Sequence, residues 1–317
     1  MDDADLTPPT LADLHDAAER LRGVARRTPL LNAPLLDREA GRRVWVKAEC
    51  LQLTGSFKFR GAYNAVSRLP DGEGVIAFSS GNHAQGIAHA AALMGRTAVI
   101  VMPDDAPEAK VAGTRAYGAE VVPYRRDDEA REEVGARLAA ERGLHLVRPF
   151  DDARVIAGQG TCGLEIAEDL PDGVGEVLVC CGGGGLTAGV ALGLGGAAAV
   201  RPVEPDGFDD VARSLAAGSI QRNDRMSGSI CDAILTPRPG DITFPVLRDR
   251  CGAGVTVTDE EALRAMRAAW RHLRIVLEPG GAVALAAALF RDGPDCVAVA
   301  SGGNVDRAMF ERALAAG

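Results

Sequence analysis

From Gly74 onward the chain keeps one rhythm: a short apolar run, a polar or glycine break, then a stretch of helical character. VIAF gives way to SSGNHAQGIAHAAALMG and then TAVIVMP; PEAKVAGTRAYG leads to AEVVPY, and DDEAREEVGARLAAERG to LHLV. The rhythm returns in EVLVCC, AAAVRPVEP and DCVAVAS. In the helical stretches apolar residues recur at helical spacing, as at Val134 and Leu138, with acids gathered near the start. The runs between them are short and largely apolar, as strands are when helices cover both faces of their sheet. Strands and helices alternating in this way build parallel sheets with helices on both sides. The 317 residues suffice for about two such domains or one large unit.

Several function classes drop out. A formal charge of -9 and a pI near 5.2 argue against nucleic acid and anionic membrane surfaces, which call for basic patches. The N-terminal MDDADLTPPT has neither the basic nor the apolar region of a secretory signal. The apolar stretch Leu186 to Val200 is broken by glycines and too short to span a bilayer. The 7 cysteines form no CxxC pair and find no histidine at zinc-ligand spacing, so they are expected to be reduced thiols of a cytoplasmic protein.

Open parallel sheets bind ligands beyond the carboxyl ends of their strands, so the loops there carry the chemistry. One is CCGGGGLTAG, Cys180 to Gly189. Its four consecutive glycines, Gly182 to Gly185, follow an apolar strand and open a helix, baring backbone N–H groups where an anion such as phosphate binds. A tight turn alone needs one glycine or two. Gly183, Gly185 and Ala188 also fit G-x-G-x-x-A, with Glu204 about twenty residues on, which makes a nicotinamide dehydrogenase the rival reading. That reading leaves two further polar loops unexplained, SSGNHAQG (Ser79 to Gly86) and SGGNVD (Ser301 to Asp306). It also leaves out TGSFKFRGA, where Lys58 stands between two phenylalanines. Lys58 is either a surface lysine with packed neighbours or an amine held uncharged in an apolar slot. Two polar loops, a phosphate cradle and a slotted lysine together suit a phosphorylated aldehyde, and pyridoxal 5'-phosphate fits that description.

On these residues the chain resembles the serine/threonine dehydratase and serine racemase family, of the tryptophan-synthase-β-like class of pyridoxal phosphate enzymes. The resemblance runs from RTPLL at Arg27 to the final helix. It is carried by KAECLQLTGSFKFRGA, SSGNHAQG, VIAGQGT, GGGGL, VEPDGFDD, LEPGGA and SGGNVD, which occur in family order. It implies an α/β fold of two open twisted parallel-sheet domains with flanking helices, the cofactor in the cleft between them, and a homodimer. Residues 74–150 would form a smaller, inserted, mobile domain, and 1–73 with 151–317 the larger one. The activity implied is dehydration and deamination of a β-hydroxy amino acid such as serine, threonine or 3-hydroxyaspartate.

Carried onto matching positions, the resemblance makes Lys58 the lysine that binds the cofactor aldehyde and moves the Cα proton. Phe57 would pack on the ring, Asn82 would bond its 3'-oxygen, Gly182 to Leu186 would cradle the phosphate, and Ser301 would meet the pyridine nitrogen. Ser79, Asn82 and His83 would hold the substrate carboxylate, with Arg131 as a closing contact. Ser80 resembles the serine of racemases and hydroxyaspartate dehydratases; it either caps the following helix or works as acid or base opposite Lys58, allowing racemisation. Glu204 and Asp210 offer hard oxygen ligands, with the Phe208 carbonyl a third, and the resemblance implies a magnesium, calcium or manganese ion there. Glu278 either stands near the ring or only starts a helix with Pro279. Cys50, Arg148 and Ala233 replace residues common in the family.

Overall fold

The computed structural model describes residues 6–79, 81–106, 108–125 and 128–316. Its strands are β1 (Leu30–Leu31), β2 (Val44–Lys47), β3 (Val75–Phe78), β4 (Ala98–Pro103), β5 (Glu120–Tyr124), β6 (His145–Leu146), β7 (Glu176–Cys180), β8 (Ala199–Pro205), β9 (Val255–Val257) and β10 (Cys296–Val299). They form two sheets: six strands in the order β1-β2-β10-β7-β8-β9, and four in the order β5-β4-β3-β6. Among the described residues every strand pairing is parallel except that of β1 with β2. This is a two-domain α/β fold with flanking helices.

The four-stranded sheet shows why its strands read as unbroken apolar runs. Side chains alternate between faces along a strand, and here both faces are cores. Val75 and Ala77 join Ile100 and Met102 against Phe59, Ala62, Val66 and Ile87. Ile76 and Phe78 join Val99 and Val101 on the other side, against Val134 and Leu138. The first core draws Phe59 to Leu69 from outside the 74–150 segment, because the helix Lys58–Val66 packs on the helix Asn82–Leu93, which itself lies on that sheet.

In the larger domain, two helices cross so closely that a methyl group would not fit. A Cβ on Gly189 would stand 2.7 Å from the amide nitrogen of Gly160. This contact seats the helix Gly185–Leu194, which opens with the glycine loop, against the helix Ala153–Asp169.

A buried ionic cluster joins the same helix to β2 and to the helix of Lys58. The Arg60 guanidinium donates to both oxygens of Glu49 at 2.8 Å, and to Glu165 at 2.7 and 2.9 Å. Lys47 Nζ donates to Glu165 at 2.6 Å and to the Thr28 carbonyl at 2.8 Å. Two cations thus meet two carboxylates, and each charge has a counter-charge.

The sequence rhythm anticipates β3 to β8 and β10 but not β1, β2 or β9. β1 and β9 are edge strands of two and three residues, too short for a periodic signal. β2 is a central strand of four residues whose last, Lys47, is a buried cation, so its pattern looks broken.

Candidate active site

The loops after β3, β7 and β10 open into one cleft of about 550 Å³. Phe57, Lys58, Ser79, Asn82, His83, Arg131, Gly182 to Leu186 and Ser301 all line it. Ser80, the remaining residue expected there, lies outside the described residues.

Lys58 is brought in by a turn of unusual backbone. Thr54 has φ 61°, a left-handed value that a β-branched residue seldom adopts, and Gly55 follows at φ 76°. A Cβ on Gly55 would stand 2.4 Å from Asn304 Oδ1. Ser56 then pairs with Gly302, and the Phe57 amide donates to the Ser301 carbonyl at 3.0 Å. Thus the segment holding Lys58 is tied to the loop after β10. Lys58 starts its helix with Nζ donating to the Pro149 carbonyl at 2.7 Å and lying 5.1 Å from the Phe57 ring centroid. Burial of the amine pushes its pKa down to about 8, outweighing the opposite pull of Cys180 and Glu278. The lysine is therefore slotted and readily deprotonated.

The glycine loop is held by its neighbours. Gly184 stands at φ 93° as the residue before the helix Gly185–Leu194 and offers no side-chain cap. The first amides of that helix have no intrahelical acceptor and form an anion-binding end. The Gly183 carbonyl accepts from Thr243 Oγ1 at 2.7 Å. A Cβ on Gly183 would lie 2.3 Å from the Phe150 ring, and one on Gly182 would lie 2.7 Å from the Ile234 carbonyl. Both positions leave room only for glycine.

A chain of side chains crosses the cleft floor. Asn304 Nδ2 donates to Asn82 Oδ1 at 2.7 Å, and Asn82 Nδ2 donates to Glu278 Oε1 at 2.5 Å. Glu278 takes the N-cap position before Pro279 yet makes no cap bond, its carboxyl turning into the cleft instead. Burial raises that carboxyl to about 7 despite the Asn82 bond. Both of the roles considered for Glu278, cleft residue and helix start, are thus occupied at once. His83 Nε2 lies 3.1 Å from the Val147 carbonyl. A carbonyl only accepts, so this nitrogen carries the proton, and Nδ1 is left a bare acceptor without a partner. Burial, helped by Lys58, brings the imidazole down to about 3 and keeps it neutral. What His83 offers an anion is its backbone N–H, not its ring. Ser79 Oγ accepts from the Gly81 amide at 3.2 Å, and Cys180 Sγ lies 3.1 Å from Ser301 Oγ. The Arg131 guanidinium stands 5.6 Å from the Phe78 ring centroid.

Glu204 and Asp210 do not line this cleft. Glu204 is fully buried, accepting from the amides of Val211 at 2.9 Å and Ala212 at 2.7 Å. Asp210 Oδ1 accepts from Asn223 at 2.5 Å, while Oδ2 is buried without a partner. Burial raises both carboxyls, Asp210 to about 7 and Glu204 well above the usual range. Among the described residues no three His, Cys, Asp or Glu side chains gather as a metal set.

Pro149, Phe150, Lys110, Asp232 and Asn304 also line the cleft, and sequence reading gave no role to them. A backbone acceptor such as the Pro149 carbonyl leaves no residue-type signal. Asn304 stands in the quoted SGGNVD and was within reach.

Residues 21–302 match the pyridoxal-phosphate dependent enzyme family. The chain belongs to that family. Among this pyridoxal-phosphate dependent enzyme's relatives is an L-threo-3-hydroxyaspartate ammonia-lyase of Pseudomonas sp, 44% identical over 310 residues that cover 93% of this chain and 96% of the relative. A serine racemase of Schizosaccharomyces pombe is 38% identical, with 95% and 96% covered. The crystal structure of a threonine deaminase from T.th. superposes with a TM-score of 0.89 at 45% identity, covering 94% of this chain and 99% of that one. For a pyridoxal-phosphate dependent enzyme the dinucleotide reading of Gly183, Gly185, Ala188 and Glu204 is set aside. Glu204 lies outside the cleft that the glycine loop lines, where no ribose of a ligand on that loop would meet it.

Proposed function

We propose that this chain removes water and then ammonia from a β-hydroxy amino acid, giving a 2-oxo acid. The observation that carries the reading is the Lys58 amine: slotted, shifted to about 8, and lining the cleft with the glycine loop. The cleft fits pyridoxal phosphate. A Cβ at Gly182 or Gly183 would collide with Ile234 or Phe150, so the loop meets a ligand with bare backbone, and His83 Nδ1 is a buried acceptor left over for a ligand.

When bound, pyridoxal phosphate supplies an electron sink that makes Cα–H acidic and lets a β-hydroxyl depart. Lys58 would hold the aldehyde, and its uncharged amine can accept the Cα proton. The amides opening the helix Gly185–Leu194 would take the phosphate, and Phe57 would stack on the ring. Asn82, oriented by Glu278 and Asn304, would present its amide to the ring oxygen. Ser301, which lines the cleft, would meet the ring nitrogen with a hydroxyl, and a hydroxyl there would favour an uncharged nitrogen. Ser79 and the amides of Asn82 and His83 receive the substrate carboxylate, with Arg131 near. The smaller domain, taken as 74–150, would close over the cleft.

The test is 2-oxo acid release from protein loaded with pyridoxal phosphate and offered L-serine, L-threonine or a 3-hydroxyaspartate. Release from at least one is expected; none from any would end the reading. The racemase relatives support a second reading, with Ser80 as the opposite acid or base, and chiral analysis of residual serine checks it.

We also propose a divalent ion, magnesium first, at Glu204, Asp210 and the Phe208 carbonyl. The orphaned Asp210 Oδ2 and two raised carboxyls fit a missing cation. Magnesium added to chelator-treated protein is expected to raise the thermal midpoint by a few degrees, and Asp210→Asn to lose that gain. An unchanged midpoint in the wild type would remove the ion. The family resemblance supports a homodimer. The 7 unpaired cysteines, all buried except the half-buried Cys251, support a reducing, cytoplasmic setting.

A further inference from the structure

We infer that Lys110 receives the second carboxylate of a dicarboxylic β-hydroxy amino acid, and that Asp232 stands in for that carboxylate in its absence. The inference rests on the elimination reading above. It names the substrate class that the sequence left open among serine, threonine and 3-hydroxyaspartate.

Lys110 belongs to the helix Glu108–Ala116 beside the four-stranded sheet, and Asp232 to the turn Asp232–Ile234 of the larger domain. Lys110 Nζ meets Asp232 Oδ2 at 3.0 Å, and both residues line the cleft. With side-chain exposures of 33% and 65%, the pair sits at the mouth in contact with solvent, where an ion pair contributes little and opens readily. Both act electrostatically on the Glu278 carboxyl, Asp232 disfavouring its ionised form and Lys110 favouring it, as Lys58 also does. The pair is thus at the same site as the reactive amine. The Asp232 carboxylate has the chemistry of the distal carboxylate of 3-hydroxyaspartate. Substrate and Asp232 can therefore trade places on Lys110 without leaving a cation unpaired.

The other basic residues lining the cleft are differently engaged. Lys58 is the reactive amine, His83 is neutral, and Arg131 stands over the Phe78 ring. The partner of Lys110 is an exposed carboxylate on the opposite wall. If the pair were only a latch between domains, its loss would touch every substrate alike. A carboxylate receiver discriminates between substrates.

The experiment compares kcat/KM for L-threo-3-hydroxyaspartate and L-serine in the cofactor-loaded wild type, Lys110→Met, Asp232→Asn and Arg131→Lys. Alongside it, calorimetry follows binding of succinate, an unreactive dicarboxylate, to the same proteins. Lys110→Met is expected to lower the ratio of hydroxyaspartate to serine about tenfold or more, the scale of one charged hydrogen bond, and to weaken succinate in parallel. Asp232→Asn is expected to raise the ratio by freeing Lys110. Equal losses for both substrates in Lys110→Met, or an unchanged ratio, would overturn the inference in favour of a latch. A ratio that moves with Arg131→Lys and not with Lys110→Met would overturn it in favour of Arg131. Should the wild type turn over neither substrate, the elimination reading is what fails, and the succinate titration still decides Lys110.

Discussion

Lys58→Ala is expected to lower turnover on the order of 10⁴-fold or more, because no other cleft amine lies where Lys58 does. The absorption band of lysine-bound pyridoxal phosphate should vanish with it, while the thermal midpoint stays near that of the unloaded wild type. Lys58→Arg separates charge from chemistry, since guanidinium keeps the charge yet is not deprotonated in proteins. It should be as inactive as the alanine variant. The wild type carries a pH signature as well. The neutral amine is the form that reacts, and burial brings its pKa to about 8. Uptake of pyridoxal phosphate by the unloaded protein should therefore quicken roughly tenfold per pH unit below about 8 and level off above it. Uptake still climbing at the same slope well above about pH 9 would mean an ordinary, solvated lysine. Turnover surviving in Lys58→Ala would remove the central assignment.

The second large effect lies away from the chemistry. Arg60→Leu removes one cation from a cluster in which Arg60 and Glu49 are almost wholly inaccessible to water. Glu49 would then be left buried with only Lys47 nearby. Breaking a buried pair on one side costs about 3–5 kcal/mol, whereas exchanging both partners for apolar residues of similar size can be neutral. Arg60→Leu should thus lower the urea midpoint strongly, and Arg60→Leu with Glu49→Leu should recover part of the loss. The pair of variants separates an unpaired charge from a mere packing defect. Equal midpoints for wild type and Arg60→Leu would show that water reaches the cluster. Because Arg60 stands two residues after Lys58 on the same helix, the single variant should also weaken pyridoxal phosphate binding.

How far the sequence foretold this molecule follows from the range of each signal. β3, β4, β7 and β8 are short apolar runs between helical stretches, and such runs are local facts. So are GGGGL, SSGNHAQG and TGSFK, whose residue types are needed in series at one loop. Much of the lining of the cleft could be assembled from these loops. What stayed hidden depends on residues distant in the chain. Lys58 meets the Pro149 carbonyl across 91 positions, and Lys110 meets Asp232 across 122. Lys47, Glu49, Arg60 and Glu165 each read as an ordinary surface charge, and only the packing of two helices on β2 turns them into one buried cluster. The His83 ring shows the same limit in reverse. Its motif suggested an anion donor, yet the Val147 carbonyl claims the one proton that the neutral ring carries.

The place of β10 has a consequence for how the protein comes off the ribosome. β10 lies between β2 and β7, pairing with both, and Ser301 stands two residues after its end. The first and middle parts of the large sheet are therefore made long before the strand that joins them. Until Cys296 to Ser301 emerge, β2 and β7 each lack a neighbour, and the turn holding Lys58 lacks the Ser301 and Gly302 backbone that anchors it. The four-stranded unit, whose strands all lie within 75–146, can form during synthesis. A nascent chain stalled before Cys296 should present a folded smaller sheet and an open, sticky larger one. It would be a client for chaperones and would have no cofactor site to fill.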